Sequence, residues 1–470
     1  MYGVKVVTGA AATVLLLTCA GPVPVLADTI EAALVRSYQG NPQLNSQRAQ
    51  VRATDENVPQ ALSGYRPKVA LTANAGVQYT TQTQLAGTDP LTGRALKPVA
   101  TGVNTPLSAG LTVNQTVYDG QITANRVRAA EGQVSGSREA LRVLEETVLL
   151  NAATIYMDYL RDSATVEVQR SNVHVLEETL KQTRDRFNVG EVTRTDVAQA
   201  EAQLAAGKTQ ELTAESQLVT TKANFRRIIG NEPTNLAPGS PVDRFLPKSM
   251  ASAVDVSLIE NPNVTAAMYG VDVAFLNVKI NEGALLPTVN VQAAVNQSYQ
   301  QQLTIFKTFN ASLTAQLTVP IYQGGTEYSL IRQSKETVTQ QRLALDQTRD
   351  QVRATTVQSW GQLDANKAQV VSAQAQVTAA EVALNGVREE AKAGQRTTLD
   401  VLNAQQALVN ARIALVTAQH DRVVSSYSVL SAVGRLSPQV LGLATQVYDP
   451  TVHYQQVRDS WVGVRTPDGK

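Results

Sequence analysis

Side chains able to do chemistry are thinly spread along this sequence. The three histidines, His174, His420 and His453, stand far apart, and none has a cysteine, aspartate or glutamate at metal-ligand spacing. They read as solvated surface residues. No phosphate-binding glycine loop, nucleophile elbow or dinucleotide fingerprint occurs. The acidic doublets Glu145-Glu146 and Glu177-Glu178 fall in helical patterns and read as solvated faces. No catalytic residue, cofactor site or metal ligand is assigned, and an enzyme is not expected. A net charge of +1 gives no reason to expect a nucleic-acid partner. One pattern of glycine and charge does recur: Phe187-Asn-Val-Gly190-x5-Asp196-Val197 and Ala391-Lys-Ala-Gly394-x5-Asp400-Val401.

The segments around that pattern must position it. Leu107 to Glu232 holds no proline and is rich in Ala, Val, Leu, Gln, Glu and Arg, which favours long helices. Gly190 and its small polar neighbours suit a tight turn between two antiparallel arms. The first arm, Gly120 to Phe187, would run roughly 100 Å, a coiled-coil length. The same object returns 204 residues later: Tyr118/Tyr322, Gly120/Gly324, Leu141/Leu345, Val148/Val352, Gly190/Gly394, Asp196/Asp400 and Gly230/Gly434. Leu402, Val409, Val416, Val423 and Leu430 make a seven-residue stripe, the seam spacing of a coiled coil. Two long hairpins per chain therefore organise the sequence.

Residues 1–27 read as a signal peptide, with Lys5, an apolar core and Val25-Leu26-Ala27 before Asp28. Cys19 falls inside it, where lipidation is a conceivable alternative, so the mature chain would carry no thiol. The first repeat spans 28–232 and opens with a helix pair broken at Asn41-Pro42. A proline-bearing linker covers 233–251, the second repeat 252–437, and the tail 438–470, which loses helical periodicity and is expected to pack on the helices near its start and fray after about Arg465. Four segments alternate with period two: Val69 to Tyr79, Leu107 to Val117, Val289 to Tyr299 and Ala311 to Ile321. Each has the length of a tilted membrane-crossing strand, and an ordinary half-buried antiparallel sheet fits the pattern equally. The segments Thr80–Pro106 and Gln300–Phe309 read as exposed loops. Four strands cannot close a barrel, and lipid does not tolerate open sheet edges, so a membrane reading requires several chains to share one barrel.

The paired turn motifs, the duplication, the strand pairs and the Tyr448-Asp-Pro tail resemble the TolC-like outer membrane channel family. The resemblance implies a mostly helical α+β fold, in which long antiparallel coiled-coil hairpins form a helical barrel. Each chain adds four strands to a trimeric transmembrane β-barrel in outer-membrane lipid. It implies a homotrimeric exit duct for efflux or type I secretion. Its hairpin turns, Val189, Gly190, Ala393 and Gly394, would dock on a periplasmic adaptor (membrane fusion protein) linked to an inner-membrane pump or ABC transporter. Thr195, Asp196 and Arg396 match positions that tie the closed entrance together, and Asp400 matches a ring at its narrowest point, where like charges would raise its titration. Two departures stand out: Ala391 where some members have a tyrosine, and Asn403 where some have a second acidic ring. A periplasmic coiled-coil adaptor is the alternative, although such a protein would carry one hairpin and compact β domains.

Overall fold

The computed structural model describes residues 28–470 except 85, 304, 468 and 470. The signal-peptide and Cys19 readings lie outside the described residues. Helices α1 (Ile30–Gly40), α2 (Pro42–Asp55) and α3 (Asn57–Leu62) lead into a sheet. Asn41 ends α1 and caps α2, its Oδ1 accepting from Gln43 N at 2.8 Å, with Pro42 at the first helical position, where its missing N–H costs nothing. After the strands come α4 (Ile122–Asn188) and α5 (Arg194–Ile229), then α6 (Met250–Glu260) and α7 (Pro262–Gly283). A second strand pair is followed by α8 (Thr326–Lys392) and α9 (Thr398–Val433). The repeat is kept to the residue: α4 and α8 both have 67 residues, α5 and α9 both have 36, and every boundary is displaced by 204.

The main sheet is antiparallel, in the order β1 (Lys68–Ala75), β4 (Leu107–Tyr118), β5 (Thr288–Gln302), β6 (Ile305–Thr318). Its register collects apolar side chains in rows. Val69 faces Val113, then Ala293, then Leu313; Leu71 faces Leu111, then Val295, then Ala311. The opposite face carries rows such as Lys68, Asn114, Gln292 and Thr314. The apolar face is not covered: Leu71 is 77 % and Leu313 76 % exposed in the single chain. Of the two readings the alternation left open, a half-buried sheet is therefore the wrong one, because among the described residues nothing packs on that face. The outer strands β1 and β6 each leave an edge of the sheet without a partner among the described residues.

Two expected loops are differently built. The first strand stops at Ala75, and Thr80–Pro106 contains most of a separate ribbon, β2 (Gln78–Thr83) with β3 (Val99–Asn104). In the second copy β5 and β6 run on through most of Gln300–Phe309, separated only by residues 303–304. β-Branched residues such as Thr80, Thr81, Val99 and Val103 suit strands even where threonines interrupt the apolar face, and backbone pairing then continues past the apolar rows.

The compact core lies where α1 and α2 pack on α4, α5 and α9. Leu34, Tyr38, Leu44, Leu149, Tyr156 and Phe225 are buried there. The Tyr156 hydroxyl donates to the Ala237 carbonyl at 2.6 Å, holding the linker beside Asp28, which forms a parallel bridge with Leu236. Three expectations are corrected in this region. The tail packs on the helices near its start through Leu441 and Leu443, as expected, but it also forms a helix, α10 (Thr451–Val457), where helical periodicity was not expected. His453 is not solvated, since its Nδ1 lies 3.0 Å from Oδ2 of Asp55, a carboxylate with 0 % exposure. Nor is His420, whose Nδ1 is 2.8 Å from Asp421 and whose Nε2 is 3.0 Å from Asp158, bridging α9 to α4. Burial pulls the His420 imidazole down, but the two carboxylates outweigh it and hold it above its ordinary value. His174 is exposed, as expected.

Candidate gate at the hairpin tips

Both hairpins turn by the same chemistry. Gly190 has φ +83° and Gly394 φ +79°, a left-handed conformation that L side chains rarely adopt. The Glu191 N–H reaches back to the Arg186 carbonyl and the Gln395 N–H to the Glu390 carbonyl, both at 2.9 Å, which closes each helix end. Open space surrounds both glycines, so the backbone angle, not packing, demands them. Val189 is exposed, as are Ala393 and both glycines, so the four expected docking positions all face solvent.

The two repeated aspartates have the same local task. Asp196 is the third residue of α5, and its Oδ2 accepts from Thr193 N at 2.9 Å and Thr193 Oγ1 at 2.7 Å. Asp400 does the same in α9, at 3.0 Å from Thr397 N and 2.9 Å from Thr397 Oγ1. Each threonine hydroxyl in turn receives the aspartate's backbone N–H at 3.3 Å, completing a capping box. The Thr397 backbone N–H and hydroxyl hold the Asp400 carboxyl below its ordinary value, and the Thr193 hydroxyl and N–H do so for Asp196. The single chain thus pulls Asp400 opposite to the upward shift expected from a charged ring. The sequence did carry this signal, as Thr-x-x-Asp ahead of an apolar run.

Arg396 and Asp196 do not meet within the chain. Arg396 Nε pairs with Glu390 Oε2 at 2.9 Å, across its own turn. Thr195 and Asn403 are exposed, and Ala391 is half-buried at the end of α8. The two hairpins touch just above the tips. Leu402 packs with Leu176, Leu180 and Ala200, while Gln203 donates to Gln406 at 3.3 Å and Gln405 to Asn172 at 3.4 Å.

This geometry has counterparts among known proteins. The profile of the family described as outer membrane efflux protein matches residues 33–231 and 253–435, nearly all of both repeats. The chain belongs to that family. The outer membrane efflux protein BepC of Brucella suis is 41 % identical over 446 residues, covering 95 % of this chain and 94 % of that one. The outer membrane protein TolC of Escherichia coli is 25 % identical over 430 residues, covering 87 % and 83 %. The crystal structure of the Campylobacter jejuni CmeC outer membrane channel superposes with a TM-score of 0.75 at 16 % identity, over 92 % and 89 % of the two chains, which shows a shared fold. As an outer membrane efflux protein the chain is a channel component and not an enzyme, with its sheet in the outer membrane and its helices in the periplasm. The adaptor alternative is set aside, because both repeats match one channel family end to end.

Proposed function

We propose that three copies of this chain join edge to edge, β6 of one against β1 of the next, to close a twelve-stranded barrel above a common helical duct. The observation that carries the reading is the four-stranded sheet with one exposed apolar face and two unpaired edges. A sheet of that kind in lipid is stable only if its edges are paired, since each unsatisfied backbone group there costs several kcal/mol. The duct is a passive exit for efflux or type I secretion. Its periplasmic mouth is the set of hairpin tips, where Val189, Gly190, Ala393 and Gly394 dock on an adaptor joined to an inner-membrane pump or ABC transporter. Thr195, Asp196 and Arg396 tie that mouth closed, and Asp400 rings its narrowest point, with Asn403 standing where a second acidic ring would lie.

Native mass measurement of the detergent-extracted complex should give three chains; a stable monomer with intact strand content overturns the barrel. Epitope tags within residues 84–98, at the free end of the β2–β3 ribbon, should be reachable on intact cells, while tags at Gly190 or Gly394 stay hidden. The opposite pattern would invert the orientation. Crosslinkers placed at Val189 and Ala393 should capture an adaptor from intact envelopes, and crosslinks confined to other surfaces would remove the tips from docking.

A further inference from the structure

A cavity of 720 Å³ opens in the helical wall between α4, α8, α9 and the start of α7. Its lining contains one ionisable residue, Glu146 of α4. The acidic doublet was expected to be solvated, but Glu146 is only 6 % exposed, and its carboxyl makes no hydrogen bond or ion pair among the described residues. Burial pushes it up to about 8; Arg142 acts against this, while Glu145 and Glu139 add to it. Glu146 also borders a neighbouring cavity that holds further charged groups, and these face partners of their own: Arg138 lies 3.8 Å from the Asp55 carboxylate. Arg142 holds Glu139 at 2.7 Å, Arg435 grips Glu260 through two nitrogens, and Glu145 accepts from the Tyr38 hydroxyl at 3.1 Å. The parts of α7, α8 and α9 that line the cavity present no charged group.

The neutral lining has a polarity of its own. Thr147, Thr348 and Ser428 donate their hydroxyl protons to carbonyls four residues back, at 2.9, 2.8 and 3.1 Å. Thr355 accepts from Gln351 at 3.2 Å. The three hydroxyls that donate to carbonyls retain oxygen lone pairs, so they accept more readily than they donate. The α7 N-terminus, which would attract an anion, is occupied by the side chain of Asn261, whose Oδ1 accepts from Asn263 N at 2.9 Å. Val143, Leu150 and Val352 supply apolar wall. A divalent metal would want several oxygen anions, and there is one. An ammonium group needs one counter-ion and neutral acceptors for its three protons, with room beyond for the body that carries it.

We propose that this cavity binds organic amines through a protonated primary amino group, with Glu146 as its counter-ion. The site lies within one chain and depends neither on barrel closure nor on docking at the tips. Because the empty site holds its carboxyl protonated near neutral pH, capturing an ammonium ion releases one proton to solvent, and affinity should rise with pH until Glu146 is ionised.

The test uses the full chain in a neutral detergent, titrated with dansylcadaverine, a primary ammonium with an environment-sensitive fluorophore, and with neutral dansyl amide as control. Dansylcadaverine should bind with higher fluorescence, up to about tenfold more tightly at pH 7.5 than at pH 6.5, from the release of about one proton. Dansyl amide should bind at least tenfold more weakly than the amine, as should dansylcadaverine to Glu146→Gln. Thr355→Leu, which places bulk in the cavity and leaves the carboxyl in place, should also weaken binding. Equal affinity for the amine in wild type and Glu146→Gln overturns the proposal, as do equal affinities for amine and amide or a flat pH profile. Displacement of the dye by millimolar Mg²⁺ would reassign the site to a metal.

Discussion

The two hairpins have identical lengths and turn chemistry but lie in different surroundings. α8 buries a narrow stripe, with Ile331, Val338, Leu345 and Val352 recurring every seven residues. α4 does more in its middle turns, where Leu149, Ala152, Ala153 and Tyr156 are all buried beneath the N-terminal helices and the linker. The matched pair Glu146 and Asp350 shows the consequence. One carboxyl is enclosed; the other is on an exposed surface beside Arg353, 2.7 Å away. Duplication preserved the helices, the caps and the glycine turns, while the faces diverged according to what packs on them.

The largest break in symmetry should come from the glycines. Gly230 and Gly434 end α5 and α9 with φ of +98° and +86°. A Cβ at Gly230 meets nothing, whereas at Gly434 it would stand 2.5 Å from the Asn261 Cα. Gly230→Ala should cost about 1 kcal/mol from the backbone angle, and Gly434→Ala roughly 4 kcal/mol once overpacking is added. At the strand-to-helix junction the order reverses: a Cβ on Gly120 would lie 2.5 Å from the Gly283 carbonyl oxygen, and one on Gly324 is free. Thermal midpoints of the four alanine variants in detergent measure this. Equal losses within each pair would mean that the backbone at Asn261 and at Gly283 yields to an added methyl.

Next in size is the pH response of Glu146. Its folded-state value is raised to about 8 from 4.5, so its stabilising contribution is complete below 4.5 and is lost as pH rises through 8. Glu146→Gln should match wild type near pH 4 and exceed it by on the order of 3 kcal/mol above pH 8. Asp350→Asn, at the exposed equivalent, should stay within about 0.5 kcal/mol at both pH values. Denaturation of both variants at pH 4.5 and 8.5 separates these outcomes, and a flat difference for Glu146→Gln would mean that water reaches its carboxyl.

Much of this architecture was legible in the sequence because it is local or repeated. A proline-free tract, a glycine turn and a fixed 204-residue interval were enough to place four helices and both turns. What stayed hidden depends on distant partners. His453 meets Asp55 across 398 residues, and His420 meets Asp158 on another helix. Helical periodicity reports that a face is polar, but not that a second polar face will close over it. Glu146 was misread for that reason. The β2–β3 ribbon was missed because the face that carries Tyr79, Val99 and Val103 is interrupted by threonines, so no unbroken apolar row reveals it.

The smallest effects belong to the tips, where the two repeats differ only in decoration. Thr193→Ala and Thr397→Ala remove matched caps and should each cost about 1 kcal/mol, seen as faster amide exchange in the first turn of α5 or α9. The braces across the turns run in opposite senses. Arg186 at the end of α4 reaches forward to Glu191 at 3.0 Å, while Glu390, its equivalent on α8, receives Arg396. Each exposed pair is worth only about 0–1 kcal/mol, so neither fixes the fold. Their influence would lie in what the mouth presents to ions. If Asp400 rings the constriction, Asp400→Asn abolishes block by multivalent cations in planar bilayers, and Asp196→Asn, with the same capping role, is the matched control that leaves the block in place. Arg396→Ser frees Glu390 and should modestly raise single-channel conductance, since one weak brace per chain is lost. Equal loss of block in Asp196→Asn and Asp400→Asn would trace the effect to helix capping and remove Asp400 from the ring.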